Sequence, residues 1–165
     1  MISDQMMASR PAAWQVPSES DWLVMLSEFP TVTPEMLFDY WTQPELLQRW
    51  WPQEAEVEPR VDGAYHFSWP RMGWNLRGNY TAFEPGKNLA FTWKWDSEPE
   101  LAPIRHVIVT FEMLAEGGTR ISITHGPYND FWEDQEERVG HLDGWTHFLG
   151  KLQERISGEY YQPHL

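Results

Sequence analysis

The histidines have the clearest capacity for acid–base chemistry near neutral pH, because imidazole titrates in that range. His125 alternates with polar residues in a predicted strand, on the same face as the apolar Ile121 and Ile123. An imidazole on that face can be a polar anchor or proton-transfer group in a cavity, or a hydrogen-bonded histidine of the core. Both interpretations stay open, and His125 is a candidate site residue.

A second polar pair, Arg105 and His106, stands at the start of the preceding predicted strand. A guanidinium at the mouth of a cavity can bind a ligand carboxylate through two parallel hydrogen bonds. The alternative is a strand end exposed to solvent. Arg105 is the candidate site residue of this pair.

The other titratable residues form no catalytic or metal-binding pattern. His141 and His147 are six residues apart in a predicted helix, unlike the i, i+4 pair of a helical metal site, and the sequence has no cysteine. Asp62, Glu84 and Glu112 are isolated, so no pair of carboxylates facing one gap can be placed. Nucleophile-elbow, phosphate-loop and dinucleotide motifs are absent from the sequence. We therefore predict no catalytic residue, no metal and no cofactor, and leave enzymatic activity open.

Aromatic side chains supply the other candidate site. Eleven Trp, eight Phe and six Tyr make up 15% of the chain. Their large flat surfaces can line a pocket for a flat organic ligand or fill a core, and both uses stay open. The aromatic candidates for a ligand site are Tyr65, Phe67, Trp69, Tyr80, Trp93, Trp95, Phe111 and Trp145.

Length and charge exclude several classes of protein. A chain of 165 residues that is 41% hydrophobic predicts one globular domain. Twelve basic and 25 acidic residues give a net charge of −13, which disfavours nucleic acid and anionic membrane surfaces as partners. The sequence has no apolar run long enough to span a bilayer and no secretory signal, so we expect a cytoplasmic protein.

The elements that position these residues follow from periodicity and turn residues. Residues 1–21 have no periodicity and are predicted to be an extension, with Trp14 as its one anchor. A strand follows over 22–29, then a helix with Thr33 as N-cap, then a second helix from Pro44 through the tryptophan pair at 50–51. Alternation predicts further strands over 55–59, 63–69, 75–83, 89–95, 107–113 and 119–125.

The last element is a long amphipathic helix. A capping box at 130–133 predicts its start, and Gly158 predicts its end before a tail of residues 159–165. Gly140 and Gly144 are candidate break points within it. Its apolar stripe consists of Val139, Leu142, Trp145, Leu149, Leu152 and Ile156.

This order of elements predicts an α+β helix-grip fold over residues 22–158. A curved antiparallel sheet of six to seven strands would wrap around the long C-terminal helix, with two short helices after the first strand. A strongly bent sheet and a straight helix touch along a limited line, so we expect an internal apolar cavity.

Five motifs in this order resemble one known family. They are Trp41-Thr-Gln-Pro44-Glu45-Leu46-Leu47-Gln-Arg-Trp50-Trp51, Asp62-Gly63-Ala-Tyr65-His-Phe67, Gly78-Asn-Tyr80-Thr-Ala-Phe83-Glu84-Pro85 with Leu89-Ala-Phe91-Thr-Trp93, Gly118-Thr119-Arg-Ile121-Ser-Ile123-Thr-His125-Gly126, and Gly144-Trp145 with Leu149 and Leu152. From Trp22 to Ile156 the chain resembles the activator of heat-shock protein 90 ATPase homologue family. That family belongs to the START-like (SRPBCC) superfamily of Bet v 1 allergens and polyketide cyclases. Asp62 stands where the family usually has a glycine.

The resemblance implies the helix-grip fold but leaves the function open, because the superfamily uses one scaffold for binding, transport, cyclisation and co-chaperone roles. We expect the chain to bind a small hydrophobic or aromatic molecule in its cavity. A polyketide cyclase/dehydratase-like enzyme and a co-chaperone-like interaction module are the alternatives. The oligomeric state stays open, with a homodimer as one option.

Overall fold

One antiparallel sheet of eight strands forms the frame of the molecule. The computed structural model describes residues 11–160, without the side chains of residues 159 and 160. The outer parts of the predicted extension and tail, residues 1–10 and 161–165, lie outside the described residues. Neighbouring strands follow the order β1-β2-β8-β7-β6-β5-β4-β3. The strands are β1 (Ala13–Val16), β2 (Leu23–Phe29), β3 (Glu54–Val57), β4 (Ala64–Trp69), β5 (Trp74–Glu84), β6 (Asn88–Trp95), β7 (Arg105–Met113) and β8 (Thr119–Gly126).

Three helices complete the helix-grip fold and confirm the predicted fold class. They are α1 (Pro34–Thr42), α2 (Pro44–Leu47) and α3 (Trp132–Tyr160). Thr33 is the N-cap of α1, as predicted, and its hydroxyl accepts a hydrogen bond from the Met36 amide at 3.2 Å. Among the described residues, no helix is both long enough and apolar enough to cross a membrane.

The first strand differs from the prediction. Residues 13–16 of the predicted extension form β1, which pairs with β2 at the sheet edge and places Trp14 opposite Leu26. The Ser27 hydroxyl donates to the Ala12 carbonyl at 2.6 Å, and the Gln153 amide of α3 donates to the same carbonyl at 3.2 Å. A four-residue strand is too short to show a period, so its pairing partners decide its conformation.

The second helix is shorter than predicted. Regular helix ends at Leu47, and hydrogen-bonded turns carry the chain through Trp50 and Trp51. The Trp50 ring nitrogen donates to the Tyr40 carbonyl at 2.8 Å, which ties the turn to α1. Both tryptophans are buried, and Trp51 packs against Phe67 and Trp93 of the sheet.

Strand β5 contains an irregularity that alternation does not predict. Its register with β6 shifts between Tyr80 and Ala82. Beyond the shift, Phe83 rather than Ala82 packs on the core, with its ring 5.2 Å from the ring of Phe38. A bulge of this kind inserts one residue and exchanges the faces of the positions that follow.

Helix α3 is one continuous helix of 29 residues, so Gly140 and Gly144 do not break it and Gly158 does not end it. Its start also differs from the predicted capping box, because the Asp134 carboxylate accepts from the Asn129 amide at 2.8 Å. The apolar stripe from Trp145 to Ile156 is buried as predicted, but Val139 is 53% exposed. Val139 lies in the first half of the helix, on a face that is not packed against the sheet.

The core lies between the concave face of the sheet and the helices. Phe67, Phe91, Val109 and Ile123, from four different strands, are all buried there, which confirms the predicted inward face. The backbone of α3 approaches β1 and β2 most closely. The first half of α3 consequently faces the ends of β4, β5 and β6 across a gap.

Candidate functional site

A cavity of about 480 Å³ occupies the gap between α3 and the ends of β4–β6. Its wall is overwhelmingly apolar, and six of the eleven tryptophans border it. The lining residues are Trp51, Trp69, Trp74, Trp93, Trp95, Trp145, Phe148, Gly140, Gly144, His141, Asp143 and His147. The exposed members of this set, Trp74, Gly140, Asp143 and His147, mark its mouth.

The inner wall is built around Trp51. Its ring stacks on Trp93 at 6.0 Å with an interplanar angle of 23° and lies 5.1 Å from the ring of Trp145. The Trp69 ring nitrogen donates to the Trp51 carbonyl at 3.0 Å, which joins β4 to the turn after α2. Hydrogen bonding of the indole fixes the orientation of the ring in addition to its burial.

The outer wall is a triad of indole rings. Trp69, Trp74 and Trp95 contact each other at centroid distances of 5.6–6.4 Å and interplanar angles of 46–72°. Trp69 and Trp74 are paired across the β4–β5 hairpin, and Trp95 ends β6. Rings inclined in this way form the sides of a corner, which gives the cavity a concave aromatic surface.

The helical wall lacks side chains at two positions. Gly140 and Gly144 are one turn apart, and a Cβ atom at either would meet no atom within 4 Å. Glycine inside a helix destabilises it by roughly 0.5–1 kcal/mol relative to alanine. Packing therefore does not require glycine at these positions, and their missing side chains leave the cavity open.

A layer of polar rings lies directly behind the cavity. The Trp145 ring nitrogen donates to His125 Nδ1 at 3.0 Å, and the rings of His125 and His141 stack at 4.3 Å. The Tyr128 hydroxyl is hydrogen-bonded to His141 Nδ1 at 2.7 Å. His141 borders the cavity, whereas His125 is fully buried and does not.

Both histidines of this layer are neutral at pH 7. Burial lowers the pKa of His141 to about 4, with Glu137 opposing and Arg105 adding to that effect. Burial also lowers the pKa of His125 well below its usual value, and His141 and Arg105 lower it further. Since an indole N–H is only a donor, His125 Nδ1 is the acceptor and its proton is on Nε2. That Nε2 has no hydrogen-bond partner among the described residues.

Arg105 is neither at the cavity mouth nor solvated, which corrects both interpretations of its position. It is buried, and its guanidinium lies 2.8 Å from the Glu137 carboxylate, 3.4 Å from that of Asp134 and over the ring of Tyr128. The start of α3 brings both carboxylates above the beginning of β7. Arg105 therefore ties the helix to the sheet, while the adjacent His106 is exposed.

The structure divides the predicted ligand-binding residues into two groups. Trp69, Trp93, Trp95 and Trp145 border the cavity. The others do not line it and lie in the core, namely Tyr65, Phe67, Tyr80, Phe111, Arg105 and His125. Whether any of them contacts a ligand stays a prediction.

Sequence reasoning missed several lining residues. Trp51 is not among the predicted site residues, and Trp74 falls one residue before the strand predicted at 75–83. The position of Trp74 opposite Trp69, a predicted site residue, was the signal that could have identified it. His141 and His147 both border the cavity although the helix separates them by six residues.

Asp62, Glu84 and Glu112 are exposed in the structure, and none of them lines the cavity. Within residues 11–160, no group of three or more His, Asp or Glu side chains is arranged to hold a metal ion. The site is consequently an aromatic cavity with one carboxylate and two imidazoles on its wall.

Known structures share this architecture at low sequence identity. Protein MLL2253 from Mesorhizobium loti is 23% identical with a TM-score of 0.72, over 82% of this chain and 96% of that one. DynU16, encoded in the dynemicin biosynthetic locus, is 18% identical with a TM-score of 0.71, over 86% of this chain and 48% of its own. PFC0360w, an HSP90 activator from Plasmodium falciparum, is 20% identical with a TM-score of 0.64, over 88% and 96%.

No curated protein sequence matches the chain. The family model described as "Activator of Hsp90 ATPase homolog 1-like protein" matches residues 31–157. That span runs from the turn before α1 through nearly all of α3 and includes the cavity. The chain therefore belongs to the activator of Hsp90 ATPase homolog 1-like family.

Proposed function

We propose that this protein binds a small, flat hydrophobic or aromatic molecule in the tryptophan-lined cavity. The observation that carries the proposal is the cavity itself, about 480 Å³ in volume and walled by six indole rings. Ligand pockets typically measure about 300–1,000 Å³ and are lined mainly by apolar and aromatic side chains. A cavity of this size accommodates a molecule of two or three fused rings.

The two helical glycines support the same proposal. A chain selected only for stability would gain from alanine at both Gly140 and Gly144, because neither position is crowded. A side chain at either position would enter the cavity, whereas glycine leaves that space free for a ligand. Residues at functional sites often make the fold less stable than it could be, because function requires them.

A polyketide-cyclase-like enzyme is the second candidate, and one observation favours it. His141 borders the cavity as a neutral imidazole hydrogen-bonded to Tyr128, which is an arrangement able to move a proton. The exposed Asp143 and His147 are the other titratable side chains on the wall. Turnover of a cavity-bound ligand, lost in His141→Asn while binding remains, would support the enzyme over the binding protein.

A titration with the neutral fluorescent probe N-phenyl-1-naphthylamine tests the proposal. We expect saturable enhancement of probe emission on excitation of the cavity tryptophans, and a rise in melting temperature. Gly144→Leu places a side chain in the cavity and should abolish both signals. Gly158→Leu makes the same exchange in the same helix, away from the cavity and also in open space, and should bind as the wild type does.

Two results would overturn the proposal. One is the absence of saturable binding by the wild type. The other is equal binding by wild type and Gly144→Leu, which would place the probe elsewhere. Melting curves of both variants establish that they are folded, so that a loss of signal reports the cavity.

A further inference from the structure

The cavity wall carries one carboxylate, that of Asp143. Asp143 is at the mouth, and none of the lining residues is a lysine or an arginine. No described residue forms a hydrogen bond or ion pair with the Asp143 carboxylate, which is exposed. This carboxylate is therefore available to a ligand.

One positive group lies near the lining, the Lys151 ammonium at 6.0 Å from the ring of Phe148. The guanidinium of Arg105, behind the histidine layer, is paired with two carboxylates, those of Glu137 and Asp134. His141, on the wall, is uncharged at pH 7 because burial lowers its pKa to about 4. The whole chain has a net charge of −13. A cation entering the cavity consequently meets an attractive field.

The aromatic walls act in the same direction. Indole is the aromatic side chain with the most favourable ring face for a cation, and the attraction grows when water is excluded. The triad of Trp69, Trp74 and Trp95 includes the exposed Trp74, which lines the cavity together with the exposed Asp143. A positive group there can lie against indole faces while its apolar part fills the inner wall of Trp51 and Trp93.

We propose that the ligand is an organic cation, an aromatic or apolar body bearing a quaternary or protonated amine, with its positive group at the mouth of the cavity beside Asp143. This inference rests on the proposed binding function and specifies the chemical class of its ligand. The body is held by apolar burial, and the charge is held by indole faces and one carboxylate. An uncharged ligand of the same shape is held by apolar burial alone.

Two ligands of the same shape, one charged and one neutral, measure how much the positive charge contributes to binding. The cation 2-naphthyltrimethylammonium and the neutral 2-tert-butylnaphthalene have the same shape and differ in one atom. By competition with N-phenyl-1-naphthylamine, we expect the cation to bind about tenfold more tightly. The advantage should shrink at high ionic strength, because the mouth is exposed to solvent.

Two variants separate the carboxylate at the mouth from the general charge of the protein. Asp143→Asn should weaken binding of the cation about threefold and leave binding of the neutral ligand unchanged. Asp130→Asn removes the same charge from an exposed residue outside the cavity lining and should have little effect on either ligand. Equal weakening in both variants would refute the role of Asp143.

The outcomes distinguish this inference from the function on which it rests. If the neutral ligand binds as tightly as the cation, the cation inference is wrong and the binding function stands. If neither ligand nor the neutral probe binds, both are wrong. Tighter binding of the cation, reduced specifically by Asp143→Asn, would support both.

Discussion

At the scale of single residues, the buried polar rings are the least expected feature of the molecule. Imidazole usually titrates near neutral pH, yet burial away from water lowers the pKa of both His125 and His141 and keeps them neutral. Trp145 and Tyr128 supply the hydrogen bonds that make this burial tolerable. The cost of keeping these rings uncharged should appear as a dependence of stability on pH.

Acid should destabilise the fold through His141 well above the pH at which carboxylates titrate. Its pKa is about 4 in the folded state and 6.5 when unperturbed, so between these values the unfolded chain binds more protons. Stability is therefore complete above about pH 6.5 and falls as the pH drops towards 4, by up to roughly 3 kcal/mol. The groups facing His141 are His125, Tyr128, Arg105 and Glu137.

Urea unfolding at pH 7, 6 and 5 measures this effect. His141→Asn keeps a polar atom near Tyr128 but cannot titrate, so its stability should change less with pH than that of the wild type. The exposed His147→Asn is the matched control and should retain the wild-type pH dependence. Equal slopes for wild type and His141→Asn would refute the assignment.

Asp62 is the second residue with an energetic consequence. It adopts φ of 67°, a left-handed conformation that glycine adopts freely and other residues adopt at a cost. The same position carries a glycine in the family pattern that the sequence otherwise resembles. We expect Asp62→Gly to raise the free energy of unfolding by about 0.5 kcal/mol and Asp62→Ala to lower it by about 1 kcal/mol. Urea unfolding would contradict this explanation if Asp62→Ala were as stable as the wild type.

At the scale of elements, α3 combines two functions along its length. Its second half, with Leu149, Leu152 and Ile156 buried, packs on β1 and β2 and stabilises the fold. Its first half contacts β8 through the stacked His141 and His125, faces the ends of β4–β6 across the cavity, and carries Gly140 and Gly144 on the cavity wall. Arg105 holds the beginning of this half in place through Glu137 and Asp134. The gap is therefore maintained by connections at both ends of the helix.

Replacing the cavity glycines by alanine should raise the stability of the fold and weaken ligand binding. Gly140→Ala and Gly144→Ala should each raise the free energy of unfolding by about 0.5–1 kcal/mol, because helix propensity improves without a clash. The double variant should also bind N-phenyl-1-naphthylamine more weakly, since two methyl groups enter the cavity. Calorimetric melting and probe titration measure the two effects.

Gly150→Ala is the control for the two alanine substitutions in the cavity. A Cβ atom at that position meets only the Ala12 methyl at an ordinary contact distance of 3.8 Å, and Gly150 does not line the cavity. It should raise stability similarly and leave binding unchanged. If the cavity glycines destabilise the fold when replaced, the space at these positions is not free in solution.

At the scale of the whole molecule, the cavity results from the mismatch between a curved sheet and a straight helix. Helix α3 lies close to the β1–β2 side of the sheet and diverges from the ends of β4, β5 and β6. Aromatic side chains from three strands and from the turn after α2 fill part of the resulting space. What they leave empty is the proposed binding site, which has a single carboxylate on its wall in a chain with a net charge of −13.

The sequence by itself determined the fold class, the inward faces of the long strands and the apolar stripe of the C-terminal helix. Elements of six or more residues are long enough to show the two-residue period of a strand or the 3.6-residue period of a helix. This period assigned four strand residues to the core correctly, namely Phe67, Phe91, Val109 and Ile123. Motif order identified the family for the same reason, because the turns and packing positions recur at fixed spacings. The predicted cavity residues Trp69, Trp93, Trp95 and Trp145 also came from these patterns.

Only the tertiary structure decided the features that depend on contacts between distant segments. Strand β1 exists through its pairing with β2, and Phe83 faces the core through a bulge, so neither has a local signal. The pairing of Arg105 with Glu137, 32 residues away, places its guanidinium in a buried ion pair outside the cavity lining. Trp51 and His141 reach the cavity because the helix and the turn after α2 converge there. Side-chain convergence of this kind is a property of packing, which no local period encodes.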